Sequence, residues 1–473
     1  MPTQIIFGTD GWRGVIADDY TFENVRRCAH GMAQYLIATK QNARGLVIGY
    51  DTRFESELFA QAAAEVIAAH GIKVYLVDRA TPTPVISYAI LDKKTAGAVN
   101  ITASHNPPTW NGFKVRADYA GAIAPDGLKQ IESFIPAPEG VKRMRFQDAV
   151  SKGLIEIFDP KPAYYQQLDT LINIDPLRRA GLKVAVDSMW GAGFGWFKHI
   201  LAGGTTSVVE IHDHRNPAFP EMDHPEPIPP NVDGLMELVK REQAHLGIAT
   251  DGDADRVGGS TEKGVFIHQL QMYALLALYL LEVRGFRGAI VKTLNTTSML
   301  DALGKCFNVP VFETGVGFKY VAPKILETNA LIGGEESGGY AFRNHIPERD
   351  GIVAGLFLLD FVVQTGKTPS QLLDHLFELV GPHYYERIDT DFPEDQRAAI
   401  QKRLQDAKPT EIAGFKVTGI NTLDGFKYLL NDGGWLVIRF SGTEPIMRFY
   451  VETTQDNKRQ DVLNAGLKLA GLK

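Results

Sequence analysis

Short apolar runs alternate with amphipathic ones along most of the chain. LVIGYD (46–51) reads as a strand, SELFAQAAAEVIAAHG (56–71) as a helix closed by Gly71, and IKVYLVD (72–78) as the next strand. The same alternation returns in KVAVDSM, GFGWFKHILAGG and SVVEIH, and again in GAIVKTL, SMLDALGKCF and VPVFET. Strand–helix–strand units of this kind build α/β domains with mostly parallel sheets and helices on their faces. The three segments look like related modules, although the likeness is one of architecture and not a tight repeat. IPAPEG (135–140) and HPEPIPPN (224–231) are loops. After about residue 380 the texture changes: HYYERIDTDF, a helix from about Glu394, then FKVTGI, GFKYLL, WLVIRF and IMRFYVETT predict an antiparallel α+β domain. MYALLALYLL is about half a membrane span and GLFLLDFVV carries Asp360, so both read as core helices.

Four apolar runs end in polar clusters: AGAVNIT in ASHNP, LGIAT in DGDADR, ALI in GGEESGG and WLVIRF in SGTEP. In open α/β sheets ligands bind beyond the carboxyl ends of the strands. Four domains, each offering one such loop, predict one shared cleft.

Composition narrows the function classes. A chain of 473 residues exceeds one core and needs several domains. Hydrophobic content of 44% with 22% charged residues is that of a soluble globular protein. The net charge of -7 argues against a nucleic-acid partner, yet leaves room for a locally basic cleft and an anionic small substrate. Two cysteines, Cys28 and Cys306, make no disulfide scaffold and read as inert thiols in a reducing compartment. MPTQIIFGTDGWRG shows no basic segment followed by a long apolar core, so a cytoplasmic protein without a membrane partner is expected.

The clusters carry the chemistry. Asp251, Asp253 and Asp255 alternate in a turning loop, where they converge on one hard cation, or else repel one another. A calcium EF-hand loop is the main rival, with Glu262 at its twelfth position; Arg256, however, stands where that loop needs glycine, and the flanks read as strands. A solvated acidic turn is the plainer alternative, and a magnesium site fits best. Ser104 is either the last residue of a strand or a nucleophile, with His105, Asn106 and Lys114 nearby. The cluster is no G-x-S-x-G elbow, and a serine beside Mg²⁺ suits phosphoryl transfer. Glu335 and Ser337 among glycines suit a polyol, or form a flexible turn. Arg439, Ser441, Gly442 and Thr443 suit a phosphate cradle, or form a hairpin turn.

With these residues in view, the chain resembles the α-D-phosphohexomutase superfamily, the phosphoglucomutases and phosphomannomutases, over essentially its whole length. TASHNP (102–107), DGDADR (251–256), GEESGG (334–339) and RFSGTEP (439–445) stand in the family's order, behind the opening loop FGTDGWRG (7–14). The resemblance implies three α/β domains, at 1–158, 159–268 and 269–379, and a fourth α+β domain at 380–473, around a central cleft. It implies that Ser104 carries a phosphoryl group and that Asp251, Asp253 and Asp255 bind Mg²⁺ with the serine phosphate. Glu335, Ser337 and Arg256 would then bind substrate, and Arg439, Ser441, Gly442 and Thr443 would grip its non-reacting phosphate. Arg13 and Lys114 match basic residues beside the reaction centre, Lys114 as general acid/base, while His105 orients the serine loop.

One departure stands out. Several relatives end the sugar loop in histidine, where this chain has Gly339. NHIPERDG (344–351) offers His345 or Arg349 for a comparable role, and GFKY (317–320) offers Lys319; both stretches resemble the phosphoglucomutase branch. The implied reaction interconverts glucose 1-phosphate and glucose 6-phosphate through phosphoSer104 and a glucose 1,6-bisphosphate intermediate. Mannose or both sugars are the alternative, with glucosamine behind them. A non-enzymatic sugar-phosphate or cation-binding protein would need neither Ser104 nor Lys114. Monomer and homodimer are both compatible with the sequence.

Overall fold

The computed structural model describes residues 5–8, 10–441 and 446–472. Its strands pair into four separate sheets. β1 (Gly11–Val15), β2 (Leu46–Tyr50), β3 (Val74–Val77), β4 (Gly97–Ile101), β5 (Trp110–Ala117) and β6 (Ile155–Phe158) form the first, in the order β1-β5-β4-β2-β3-β6. β7 (Lys183–Asp187), β8 (Ser207–Ile211), β9 (Leu246–Thr250), β10 (Val257–Ser260) and β11 (Phe266–Ile267) form the second, β11-β10-β9-β7-β8. β12 (Ile290–Thr293), β13 (Val311–Thr314), β14 (Ile332–Gly334) and β15 (Tyr340–Phe342) form the third, β13-β12-β14-β15. β16 (Tyr384–Asp391), β17 (Glu411–Ile412), β18 (Phe415–Asn421), β19 (Phe426–Leu430), β20 (Trp435–Phe440) and β21 (Ile446–Thr453) form the fourth, β16-β21-β20-β19-β18-β17, antiparallel throughout.

The first three sheets share one device. Each has a parallel centre, and in each one central strand turns back into an antiparallel neighbour: β4 into β5, β9 into β10, β14 into β15. The serine, acidic and glycine-rich clusters are the connections of these three hairpins, and SGTEP lies between the antiparallel pair β20 and β21. Strands β4 and β9 are buried at every position, as their unbroken apolar runs require in sheets covered on both faces.

The two most apolar runs lie in the helix Gln269–Leu278 with its continuation Tyr279–Val283 and in the helix Gly351–Thr365, inside one core shared by the second and third sheets. They are hydrophobic nearly all round because they are covered nearly all round. Asp360 in the second of them accepts a hydrogen bond from the Tyr279 hydroxyl. Among the described residues no single helix is long and apolar enough to cross a membrane. The helix expected over GFGWFKHILAGG shrinks to Trp196–Ile200, because Gly195 enters at φ 76° and Leu201 already leaves helical geometry. Cys28 is buried, whereas Cys306 is exposed.

The fourth domain docks on the third through Leu270, Leu294, Trp435, Val437 and Tyr450. A buried carboxylate fastens this contact. Glu452 Oε2 accepts from the Ser298 backbone N–H at 2.7 Å and from Trp435 Nε1 at 3.0 Å, with His383 Nδ1 at 3.5 Å. Burial would raise its pKa, but His383 and these donors outweigh burial and bring it down to about 2. A carboxylate depressed on folding stabilises above its unfolded pKa, and that stability is lost as pH falls through the folded value. The contribution is about 3 kcal/mol at neutral pH, lost between roughly pH 4.5 and 2. Urea unfolding should therefore weaken steeply over that window, and Glu452→Gln should flatten the dependence while lowering stability at pH 7.

Candidate active site

The serine loop is held by groups of the chain itself. Ser104 takes φ 53°, the left-handed region that a non-glycine residue enters at a cost and that clusters at functional sites. Its N–H donates to Thr102 Oγ1 at 2.8 Å. The wholly buried Arg53 guanidinium holds the loop from behind, donating to the carbonyls of Ser104 at 2.6 Å, Pro107 at 2.7 Å and Trp110 at 2.9 Å. Gly252 of the acidic loop lies against this turn; a Cβ there would stand 2.5 Å from the Ser104 carbonyl oxygen. The two hairpin loops thus meet at backbone distance, and Ser104 Oγ donates to Asp251 Oδ2 at 2.9 Å.

Asp251, Asp253 and Asp255 are wholly buried, which removes the solvated acidic turn. Strands β9 and β10 flank them, so the loop is no EF-hand. Each offers a carboxylate oxygen, all within 4.8 Å of one another. Burial, followed by the charges of Asp253 and Asp255, pushes the Asp251 carboxyl well up. Asp253 moves the other way: burial opposes its charge, but the Lys114 ammonium at 2.8 Å and Thr83 Oγ1 at 2.6 Å prevail and hold it low. Asp253 Oδ1 and Asp255 Oδ1 are buried without a hydrogen-bond partner. Hard oxygen donors converging with unpaired lone pairs are what Mg²⁺ takes, so these residues fit that ion.

Cations surround the triad. Lys114 Nζ also lies 3.3 Å from Asp255 Oδ2, and Arg349 NH2 forms an ion pair with the same oxygen at 2.8 Å. Arg13 reaches the Asn106 side chain. Arg256 pairs with Glu226 at 2.6 Å, and Glu226 in turn lies 3.5 Å from His105 Nε2. His105 Nδ1 is 3.3 Å from Ser104 Oγ, a longer contact than the one to Asp251. Burial, then the nearby charges of Arg256, Arg13 and Lys114, keep His105 well below the usual imidazole range and so neutral.

The glycine-rich loop joins this group through Arg349, whose NH1 lies 3.4 Å from Glu335 Oε2 and whose guanidinium stacks over Phe318. Burial raises the Glu335 pKa, against the pull of Arg349 and Arg256. Val257 N–H of β10 bonds to the Gly338 carbonyl at 3.0 Å, so acidic and glycine-rich loops are tied edge to edge. Ser337 is half-buried on that loop, and Lys319, one residue beyond Phe318, rests its ammonium on Tyr320.

His345 corrects the sequence reading. Its side chain is sealed from solvent, Nε2 lies 2.8 Å from Asp350, and its ring packs by Tyr88 and Tyr164. Asp350 is committed in turn: it caps the helix Gly351–Thr365 and accepts from Tyr164 at 2.7 Å. This histidine therefore belongs to packing between domains, and it is Arg349 alone of the pair that reaches the loops. Arg439, at the end of β20, is held by Asp424 at 3.1 Å and lines with Arg397 a cavity of about 490 Å³. Ser441 is buried beside it, while Gly442 and Thr443 lie outside the described residues.

Three residues enter the site unannounced. Asp10, in the FGTDGWRG loop, faces Arg349 at 3.5 Å and Arg116 at 3.9 Å; burial would raise its carboxyl, but Arg116, Arg349, Lys114 and Arg13 together hold it far down. Arg53 and Glu226 are the others, and only Arg53 had a readable signal, since it follows the strand end of β2.

The chain matches four domain profiles of phosphoglucomutase/phosphomannomutase: the alpha/beta/alpha domains I, II and III at residues 4–140, 162–264 and 269–380, and the C-terminal domain at 393–465. A Thermococcus kodakarensis protein named phosphoglucomutase/phosphomannomutase is 32% identical, covering 98% of each chain. A Methanothermobacter thermautotrophicus protein that carries a phosphoglucosamine mutase name is 31% identical over 96% of this chain and 95% of its own. A crystal structure from Thermus thermophilus that carries a phosphomannomutase name superposes with TM-score 0.87 at 34% identity, covering all of both chains.

Proposed function

The chain belongs to the phosphoglucomutase/phosphomannomutase family, isomerases that move a phosphoryl group within a hexose phosphate, and from that premise we propose that it interconverts glucose 1-phosphate and glucose 6-phosphate. The observation that carries the chemistry is Ser104 Oγ, 2.9 Å from one carboxylate of a buried triad ringed by Lys114, Arg13 and Arg349. Ser104 carries the phosphoryl group and passes it to the free sugar hydroxyl, giving glucose 1,6-bisphosphate. After the bisphosphate turns over, its other phosphate returns to Ser104. Each transfer breaks one O–P bond, forms another and moves one proton, and Lys114 is placed to exchange that proton. Asp251, Asp253, Asp255 and the serine oxygen would hold Mg²⁺, which when bound offsets charge on the transferring group. Arg439, Ser441, Gly442 and Thr443 would grip the phosphate that does not react, and Glu335, Ser337, Lys319, Arg349 and Arg256 would serve the sugar.

Names among the relatives divide between glucose, mannose and glucosamine phosphates. Against glucosamine, both carboxylates of the sugar loop are already engaged: Glu335 by Arg349, and Glu336 by Tyr385 at 2.6 Å and Arg387 at 3.7 Å. An ammonium at C2 would find no unpaired carboxylate there, among the described residues, to offset its desolvation. GFKY and ERDG favour glucose over mannose by resemblance. Initial rates on glucose 1-phosphate, mannose 1-phosphate and glucosamine 1-phosphate, with Mg²⁺ and a trace of the matching bisphosphate, decide the matter. Glucose 1-phosphate should be fastest; an equal or faster rate on mannose 1-phosphate overturns the preference.

Gly339 explains how the sugar loop differs from those that end in histidine. A Cβ at this position would stand 2.2 Å from Arg349 Cδ, so only glycine lets the arginine lie across the loop. Gly339→Ala should displace Arg349 from Glu335 and Asp255 and cost about 1–3 kcal/mol of stability from overpacking. The mutase assay should show KM raised about tenfold or more through loss of one charge-assisted contact.

A further inference from the structure

We propose that the junction of the second and third sheets holds a binding site for an organic anion with an apolar body, separate from the catalytic cleft. A cavity of about 760 Å³ opens there, within the size range of small-molecule sites, which favour domain junctions. Leu182 before β7, Val239 and Ala244 at the end of the helix Asp233–Glu242, and Val362 and Val363 in the last turn of Gly351–Thr365 wall it. The polar part of the lining comprises Lys240, Lys367, His245, Gln243, Thr368 and one carboxylate, Glu262.

Lys240, exposed, and Lys367, half-buried, line the cavity, and among the described residues neither ammonium has an ion-pair partner. His245 Nδ1 accepts the Lys183 N–H at 2.9 Å, which leaves Nε2 as the nitrogen that donates. One carboxylate, Glu262, lines the cavity. It is already committed to the start of the helix Pro369–Val380, accepting the Ser370 N–H at 3.1 Å as well as the Ser370 hydroxyl. An apolar floor with two ammonium groups that no ion pair engages and an imidazole donor, against one carboxylate held at the helix start, leaves a net positive rim that matches a molecule with an aliphatic or aromatic body and an anionic head. A sugar phosphate, polar on every face, does not match it.

The cavity shares no residue with the serine site. The helix Gly351–Thr365 lies between them: its first N–H bonds to the Ala254 carbonyl of the acidic loop at 3.1 Å, and Val363 near its other end lines the cavity about 18 Å away. The two sites should consequently fill independently.

The probe is 8-anilinonaphthalene-1-sulfonate, an aromatic body with an anionic head, titrated into the full chain and followed by fluorescence. One saturable site is expected, undisturbed by glucose 1-phosphate and displaced by decanoate at least tenfold more effectively than by 1-decanol. Lys240→Glu with Lys367→Glu should weaken binding tenfold or more, and Val363→Trp should abolish it, both with the parental mutase rate and melting curve. The charge-reversal pair sits on exposed or half-buried positions, so it keeps the test open should the tryptophan variant fail to fold. Displacement by glucose 1-phosphate would put the probe in the cleft and overturn the proposal. So would unchanged binding in the charge-reversal pair, or equal displacement by decanol.

Discussion

Ser104→Ala is expected to reduce kcat by at least ~10⁴-fold, because it removes the one atom placed to carry the phosphoryl group between the two ends of the sugar. Intact mass gives the first reading: the purified parent should include a species heavier by one phosphoryl group, absent from the variant. The rate gives the second, with no recovery at high substrate or high Mg²⁺. Stability should hardly move, since the change removes one hydrogen bond to Asp251 and leaves the loop's supports from Thr102 and Arg53 intact. A fully active variant would place the nucleophile elsewhere and sink the phosphoserine reading; a phosphorylated variant would place the modification elsewhere. The comparison is sharp because Ser104 is only 2% exposed. A phosphoryl group that enters this position leaves water behind, and a stable phosphoserine requires that exclusion.

What the sequence shows of this site follows from what one chain position can reveal about itself. Strands β4, β9, β14 and β20 were legible because an unbroken apolar run followed by polar small residues is a local pattern. The loops that follow were equally local, so all four could be named before they were placed, whereas the antiparallel return after β4, β9 and β14 was not read from the chain, which suggested mostly parallel sheets. Partnership was not local. Asp10 and Arg349 lie 3.5 Å apart with over three hundred residues between them, and nothing in FGTDGWRG marks its aspartate above its arginine. Glu226 sits in a Pro-rich loop that reads only as a connection, yet it spans His105 and Arg256. His345 failed for the opposite reason. The motif NHIPERDG presents two plausible ligands four residues apart, and the helix cap Asp350 binds one of them inward while the other crosses Gly339. Which side chain a carboxylate has already taken is decided by packing, and no spacing rule records it.

Lys114 should separate charge from proton transfer. The residue sits on β5, opposite Asn100 of β4 and Gly11 of β1, and its ammonium lies between Asp253 and Asp255 with almost no exposure. Lys114→Met leaves two buried carboxylates facing one another without it. Breaking such a pair costs about 3–5 kcal/mol, and in EDTA the variant should melt well below the parent. Added Mg²⁺ should restore part of the difference, since it binds the folded triad and not the unfolded chain. The rate should fall about 10²–10⁴-fold and remain low after stability is restored, as expected for loss of a general acid/base. Lys114→Arg makes the discrimination: arginine keeps the charge but does not surrender a proton. It should recover most of the melting temperature while kcat stays at least about 100-fold down. A Lys114→Arg enzyme with the parental kcat would show that this position acts through its field alone, and the proton would then have to move through another group near Ser104. The arginines around the loop, Arg13, Arg53 and Arg349, share a reluctance to deprotonate, and His105 is held neutral by burial and by its cationic neighbours. Such a result would therefore turn attention from Lys114 to His105 as the base, and a pH–rate profile of His105→Gln would be the measurement that distinguishes them.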